Sequence, residues 1–91
     1  MPVVFSDHAK LQLKKRQISQ KRILETVRNP QQMLPSFKSR RLRRRLFSGK
    51  ILQVVTVTEG SKITVISGYY LRERVLYKTL EQEQDIRSKI I

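Results

Sequence analysis

The stretch "RRLRRRLF" at residues 40–47 places five arginines in eight positions, and from Lys38 to Arg45 six cations follow one another without an acidic residue. A run of charge is commonly a solvated face, or a guard that keeps an edge strand from pairing with its neighbours. Guarding an edge takes one or two charges, and this run is longer, of one sign and almost wholly arginine. A guanidinium is planar, grips phosphate oxygens through paired hydrogen bonds and stacks on bases, whereas an ammonium acts as a point charge. The run therefore reads as a phosphate-binding arm made of Lys38, Arg40, Arg41, Arg44 and Arg45, with Lys14, Lys15 and Arg16 as a second basic group. Phosphate contact positions a nucleic acid and does not by itself imply catalysis.

His8 is the sole histidine. The plain reading is a structural residue. Its place in the first turn of a helix, at the positive end of the macrodipole, disfavours the imidazolium and makes it the best general-base candidate of the chain. Tyr69, Tyr70 and Tyr77 are the only tyrosines; the plain reading is that they cover the end of a sheet, and the functional one is that a single tyrosine stacks on a base or donates a proton beside Arg72 or Arg74. Residues 69 and 70 point to opposite faces of a strand, so only one serves. No paired-carboxylate constellation, glycine-rich phosphate loop, histidine-cysteine metal spacing or nucleophile elbow is present. RNA cleavage survives this pruning, because RNA carries its own nucleophile in the 2′-hydroxyl. A protein needs only to orient it, neutralise the charge growing on the phosphate and move protons. On this reading Arg43 and Arg72 neutralise the phosphate, Tyr70 stacks or donates, and His8 is the base, with no metal and no cofactor.

These residues need a scaffold. The 91 residues allow one domain with a modest core. The formal charge is +13, from 20 Lys and Arg against 7 Asp and Glu. Residues 1–50 hold 14 of the cations and 2 of the acids, net +12, so the positive field belongs to the first half. The absence of cysteine excludes disulfides and thiolate metal sites, and fits a reducing compartment. The start "MPVVFSDHAK" lacks the form of a signal peptide, and no apolar run approaches bilayer length. A cytoplasmic protein is expected.

"VVF" at 3–5 is an edge strand or a lead-in to a first helix over 7–16, capped by Ser6 or Asp7, with Ala9 and Leu13 inward. A second helix starts at Ser19, stapled by Ile18 and Ile23, and "RNP" at 28–30 stops it, with Asn29 suited to a left-handed close. After "QQMLPS", residues 37–47 form the first arm of a hairpin turning at Ser48-Gly49. "KILQVVTVT" is the second strand, and "ITVISGYY" at 63–70 the third, after a turn at 58–62. Ile51, Val54, Val55, Val57, Ile63, Val65 and Ile66 supply the packing surface, joined by Leu42 and Leu46. Residues 73–91 carry apolar positions at near-helical spacing and predict a C-terminal helix, sparse enough to order against a partner or to pair with a second copy as a homodimer.

The strings "FSDHAKLQLKKRQIS", "VRNPQQML", the basic arm and "ILQVVTVTEGSKITVISGYY", in that order, resemble small bacterial domains related to the RelE/ParE toxin superfamily. "VISGYYLRERVLYK" is similar to the closing motif of the BrnT toxins, with Glu73, Arg74 and Tyr77 at the places of its Glu-Arg pair and tyrosine. The resemblance covers about residues 5–78. It implies an α+β fold with two N-terminal helices on a three- to four-stranded antiparallel sheet. It also implies a metal-independent endoribonuclease, the toxin of a type II toxin–antitoxin pair, acting on RNA free or as ribosome-bound mRNA and silenced by a cognate antitoxin. The chain departs from the pattern where a basic-glycine turn between the helices reads Arg16-Gln17, and where the arginine or proline after the Ile-Ser strand is replaced by Gly68-Tyr69-Tyr70. Two other readings stand beside the nuclease: a non-catalytic module that binds nucleic acid or inhibits gyrase in the manner of ParE, and a regulator whose basic half docks on an acidic protein.

Overall fold

In the computed structural model, residues 1–71 are described. They run β1 (Val3–Phe5), α1 (Asp7–Lys15), α2 (Gln20–Arg28), β2 (Gln32–Pro35), a 3-10 turn (Phe37–Ser39), β3 (Arg40–Phe47), β4 (Lys50–Glu59) and β5 (Lys62–Tyr70). The strands make one sheet in the order β1-β5-β4-β3-β2. Both helices lie on one face of it, α1 over β5 and α2 over β4 and β3.

The helix signals act where their chemistry places them. Ser6 accepts from the N–H of Ala9 at 3.1 Å and Ser19 from that of Arg22 at 3.2 Å, each satisfying an orphan donor of the first turn. Helix α1 closes on Gln17 in the left-handed region, φ 55°, where Ile18 N–H reaches Leu13 C=O and Gln17 N–H reaches Lys14 C=O, a Schellman close. Leu13 and Ile18, the apolar pair of that motif, are both buried. Asn29 ends α2 at φ −132°, outside the left-handed region expected of it. Ala9, Leu13, Ile18, Ile23 and Val27 meet Leu52, Val54, Ile63 and Val65 in a single core.

The sheet corrects the expected architecture. It has five strands and is mixed, in place of the three- to four-stranded antiparallel sheet of the RelE-like arrangement. The "VVF" segment is β1, parallel to β5 through Val3↔Ile63 and Phe5↔Val65, and anchored by Ile63 N–H to Pro2 C=O and Ser6 N–H to Val65 C=O. The edge that the β4–β5 hairpin leaves on β5 is filled by the nearest apolar segment, and the cap at Ser6 sets that segment's direction. "QMLP", to which the sequence assigned no element, is β2 on the opposite edge, pairing Gln32↔Arg44 through Pro35↔Arg41. The first arm of the hairpin begins at Arg40 and not at Phe37. Of the expected packing surface, Val54, Ile63 and Val65 join the core, while Val55, Val57, Leu42 and Leu46 alternate onto the face away from the helices. Leu46 is half exposed. The expected C-terminal helix falls on residues 73–91, outside the described residues.

A bulge in β5 decides which tyrosine faces which way. The register steps from Thr56↔Val65 to Val55↔Ser67, leaving Ile66 as the extra residue. Ile63 and Val65 face the helices on odd numbers; beyond the bulge Gly68 and Tyr70 do so on even ones. Gly68 suits that place, because a Cβ would stand 2.8 Å from Ile23 Cδ1 and 3.2 Å from Leu13 Cδ2, side-chain ends that would have to shift where both helices press on the strand.

Candidate nucleic-acid interface

The arginine run forms β3 itself, so the pleat divides it. Arg41, Arg43 and Arg45 lie opposite Thr56, Val54 and Leu52 on the helix side, and Arg40 and Arg44 lie opposite Val57 and Gln53 on the other. Two of the helix-side arginines hold the fold together. Arg43 donates from Nη1 to Val27 C=O at 2.9 Å and from Nε to Thr56 Oγ1 at 3.0 Å. Arg45 donates to Asn29 C=O at 2.8 Å and sets its Nε 3.4 Å from a Glu25 carboxylate oxygen. Both satisfy carbonyls at the C-terminal end of α2, where the helix leaves acceptors without partners and its dipole favours cations. Burial, and then the nearby charge of Arg41, lower the Arg43 guanidinium from its ordinary value.

On the other face a polar row crosses the sheet. Arg44 donates to Gln53 Oε1 at 2.7 Å and to Gln32 Oε1 at 3.2 Å, and the Gln53 amide donates to the Tyr69 hydroxyl. Gln53 is only 4% exposed and owes its place in the sheet to these partners, since an unpaired buried amide is costly. Arg16 continues the row round the open edge of β5: its guanidinium lies 5.7 Å from the Tyr69 ring centroid and donates to Gly68 C=O at 2.8 Å. From there the contacts pass into α1. Gln12 Oε1 accepts from Arg16 Nη1 and Ser67 Oγ, which turns its amide nitrogen toward His8 Nε2, 2.7 Å away. His8 Nε2 is the acceptor of that pair. A continuous polar path thus links His8 to Gln32.

The exposed cations are spread over both faces, Arg41 and Lys50 on the helix side of the sheet and Arg40 on the other. Lys14, Lys15 and Arg16 are exposed at the end of α1, and Arg28, Lys38, Arg40, Arg41 and Lys50 between α2 and β4. At the β2–β3 connection Phe37 projects with 74% of its surface exposed, and Lys38 Nζ stands 5.5 Å from its ring centroid.

Among the residues expected to act on the phosphate, His8 is exposed on α1, Arg43 is tied beneath α2, and Tyr70 accepts from Arg22 Nη1 at 2.7 Å on the helix side. Arg22 also lies over the Phe47 ring, 5.2 Å from its centroid. The structure brings His8 together with Gln12, Ser67 and Arg16, and it sets Arg43 and Tyr70 on the opposite side of the sheet from the polar row. Arg72 lies outside the described residues. Residues 5–70, nearly all of the fold just described, match the family described as Domain of unknown function (DUF4258). The chain belongs to that family. No curated protein and no solved structure matches it. The DUF4258 region takes in the whole polar path and the Phe37 turn, and ends at Tyr70. Gln12, Gln32, Gln53 and Ser67 are the members of the path that residue types alone did not single out, while Tyr69 is one of the two adjacent tyrosines between which the sequence leaves the choice open. The available signal was a glutamine inside the β-branched run "KILQVVTVT", a polar residue that needs a partner to sit in a sheet.

Proposed function

We propose that this DUF4258 domain binds single-stranded RNA through the basic surface of its first half. The observation that carries the reading is the stretch from Thr26 to Thr58, which has eight cations and no acid, and from which the fold presents Arg28, Lys38, Arg40, Arg41 and Lys50 to solvent while fixing Arg43 and Arg45 to its own backbone. A surface with this excess of one sign concentrates a polyanion. The resemblance to RelE/ParE toxins directs the choice to RNA. Fluorescence anisotropy with a labelled single strand tests it: affinity should fall as salt rises, with log affinity losing about 0.7 per phosphate contact, or about 3.5 decades per decade of salt if the five cations each hold one. Absence of binding at low salt overturns the reading. Competition by heparin without binding of RNA would instead support docking to an acidic protein.

A second reading, metal-independent cleavage by a toxin that an antitoxin silences, is favoured by the polar path. It sets an imidazole, a guanidinium and a phenol in series, His8, Arg16 and Tyr69, round the open edge of β5, with a second guanidinium, Arg44, further along the row. In such a reaction the 2′-oxygen attacks the phosphorus, its proton passes to a base such as His8 once the 2′-hydroxyl displaces the Gln12 amide from Nε2, and the 5′-oxygen leaves with a proton from an acid such as Tyr69. The products are a 2′,3′-cyclic phosphate and a 5′-hydroxyl end. RNA incubated with the protein in EDTA, free and ribosome-bound, should yield those ends, and His8→Ala or Tyr69→Phe should abolish them while binding persists. RNA that is bound and stays intact in both forms removes the cleavage reading and leaves the binding one.

A further inference from the structure

We infer that Phe37 is a base-stacking knob: the β2–β3 turn holds its ring out so that a nucleobase of a single strand lies on it, while Lys38, Arg40 and Arg41 take the adjoining phosphates. The inference rests on the RNA-binding reading and names the contact that makes it specific for bases.

Three observations converge on this turn. Phe37 is the most exposed large apolar residue of the described chain, more so than Leu11, Leu46 or Met33. Leaving a phenyl ring in water forgoes burial that is ordinarily favourable. The backbone, moreover, is fixed in the conformation that holds the ring out. Lys38 at φ 56°, ψ 46° and Ser39 at φ 61° are consecutive left-handed residues without being glycine, a conformation that L side chains enter at a cost. The turn is pinned at its base by Ser36 N–H to Arg40 C=O at 2.8 Å and by Arg40 N–H to Phe37 C=O. The surroundings select the ligand. No acidic residue stands between Glu25 and Glu59, Lys38 Nζ stands 5.5 Å from the ring centroid, and Arg40 and Arg41 follow on the two faces of β3, all three exposed. An apolar protein partner would be met by an apolar rim. A ring with a cation beside it and two more in the strand that follows matches a single strand that alternates bases with phosphates, for which aromatic stacking on a basic track is the recurring solution.

The chain has no tryptophan, so Phe37→Trp makes the ring the only indole in the protein. Two short RNAs of equal length serve as probes, one with its bases and one abasic throughout, and anisotropy of labelled strands is read beside indole emission. Base-bearing RNA should quench the emission and the abasic strand should not. Phe37→Ala should weaken binding of the base-bearing strand by roughly 5- to 150-fold, the range expected for one stacked base, and leave binding of the abasic strand and the melting temperature unchanged. If the base-bearing strand binds yet emission is unmoved and Phe37→Ala binds as tightly as the parent, the stacking inference fails and the RNA-binding reading stands. If neither strand binds the parent protein, both fail.

Discussion

The division of the arginine strand between structure and surface can be tested with two alanine substitutions three positions apart. Arg43→Ala deletes hydrogen bonds to Val27 C=O and Thr56 Oγ1, both on residues within 1% of full burial. A hydrogen bond from a charged donor contributes about 1.5–3 kcal/mol. Arg43 itself is only part-buried, so water recovers some of the loss, and a net cost of about 2–4 kcal/mol is expected. That is a large share of the roughly 5–15 kcal/mol that stabilises a domain. At about 4–8 °C per kcal/mol for a domain of this size, the melting temperature should fall by about 8–32 °C. Arg40→Ala removes an exposed side chain and should move it by less than about 3 °C. RNA affinity should show the reverse order. Arg40→Ala should weaken binding and lower the salt slope by about 0.7, while Arg43→Ala, assayed well below its melting point, should bind nearly as the parent does. Thermal melts by circular dichroism and anisotropy titrations over a salt series measure both quantities. An Arg43→Ala protein that melts with the parent and loses RNA binding would refute the assignment of this guanidinium to the end of α2.

Two further substitutions address the scaffold. Gly68→Ala should cost about 1–3 kcal/mol through overpacking against Ile23 and Leu13, and the double variant with Ile23→Val, which deletes the offending Cδ1, should recover part of it; strict additivity in a double-mutant cycle would show that the close approach does not matter. Gln17→Gly should raise the melting temperature by a few degrees, since glycine adopts the left-handed close of α1 at about 1 kcal/mol less, and a lower melting temperature would count against that turn.

The helices were legible because their signals are local. Ser6, Ser19, the Ile18 and Ile23 pair and Pro30 each act within one turn, and the structure places both helices within a residue or two of the expected bounds. The two hairpins were equally legible, since Ser48-Gly49 and Gly60 mark tight turns between β-branched runs. The strand edges were not. β1 is three residues long, and β2 carries proline and glutamine; neither would stand as a strand without the sheet that receives it. Which tyrosine faces the helices was illegible for another reason. Alternation along "ITVISGYY" places Tyr69 beside Ile63 and Val65, and a single extra residue at Ile66 reverses that assignment. The arginine run announced positive charge but not its division, because a run of one residue type looks the same from both faces of a pleat. Only the position of α2 reveals that Arg43 and Arg45 have carbonyls to reach.

The parallel strand at the sheet's margin bears on how the protein is made. Val3 and Phe5 find their partners at Ile63 and Val65, some sixty positions later. During translation Val3 and Phe5 must therefore wait, unpaired, until the β4–β5 hairpin has left the exit tunnel, and the flank of β5 stays open in the meantime. Closing so long a loop is slow. A tag fused ahead of Pro2 would delay the same step, so yield from a carboxyl-terminally tagged gene should exceed that from its amino-terminally tagged counterpart.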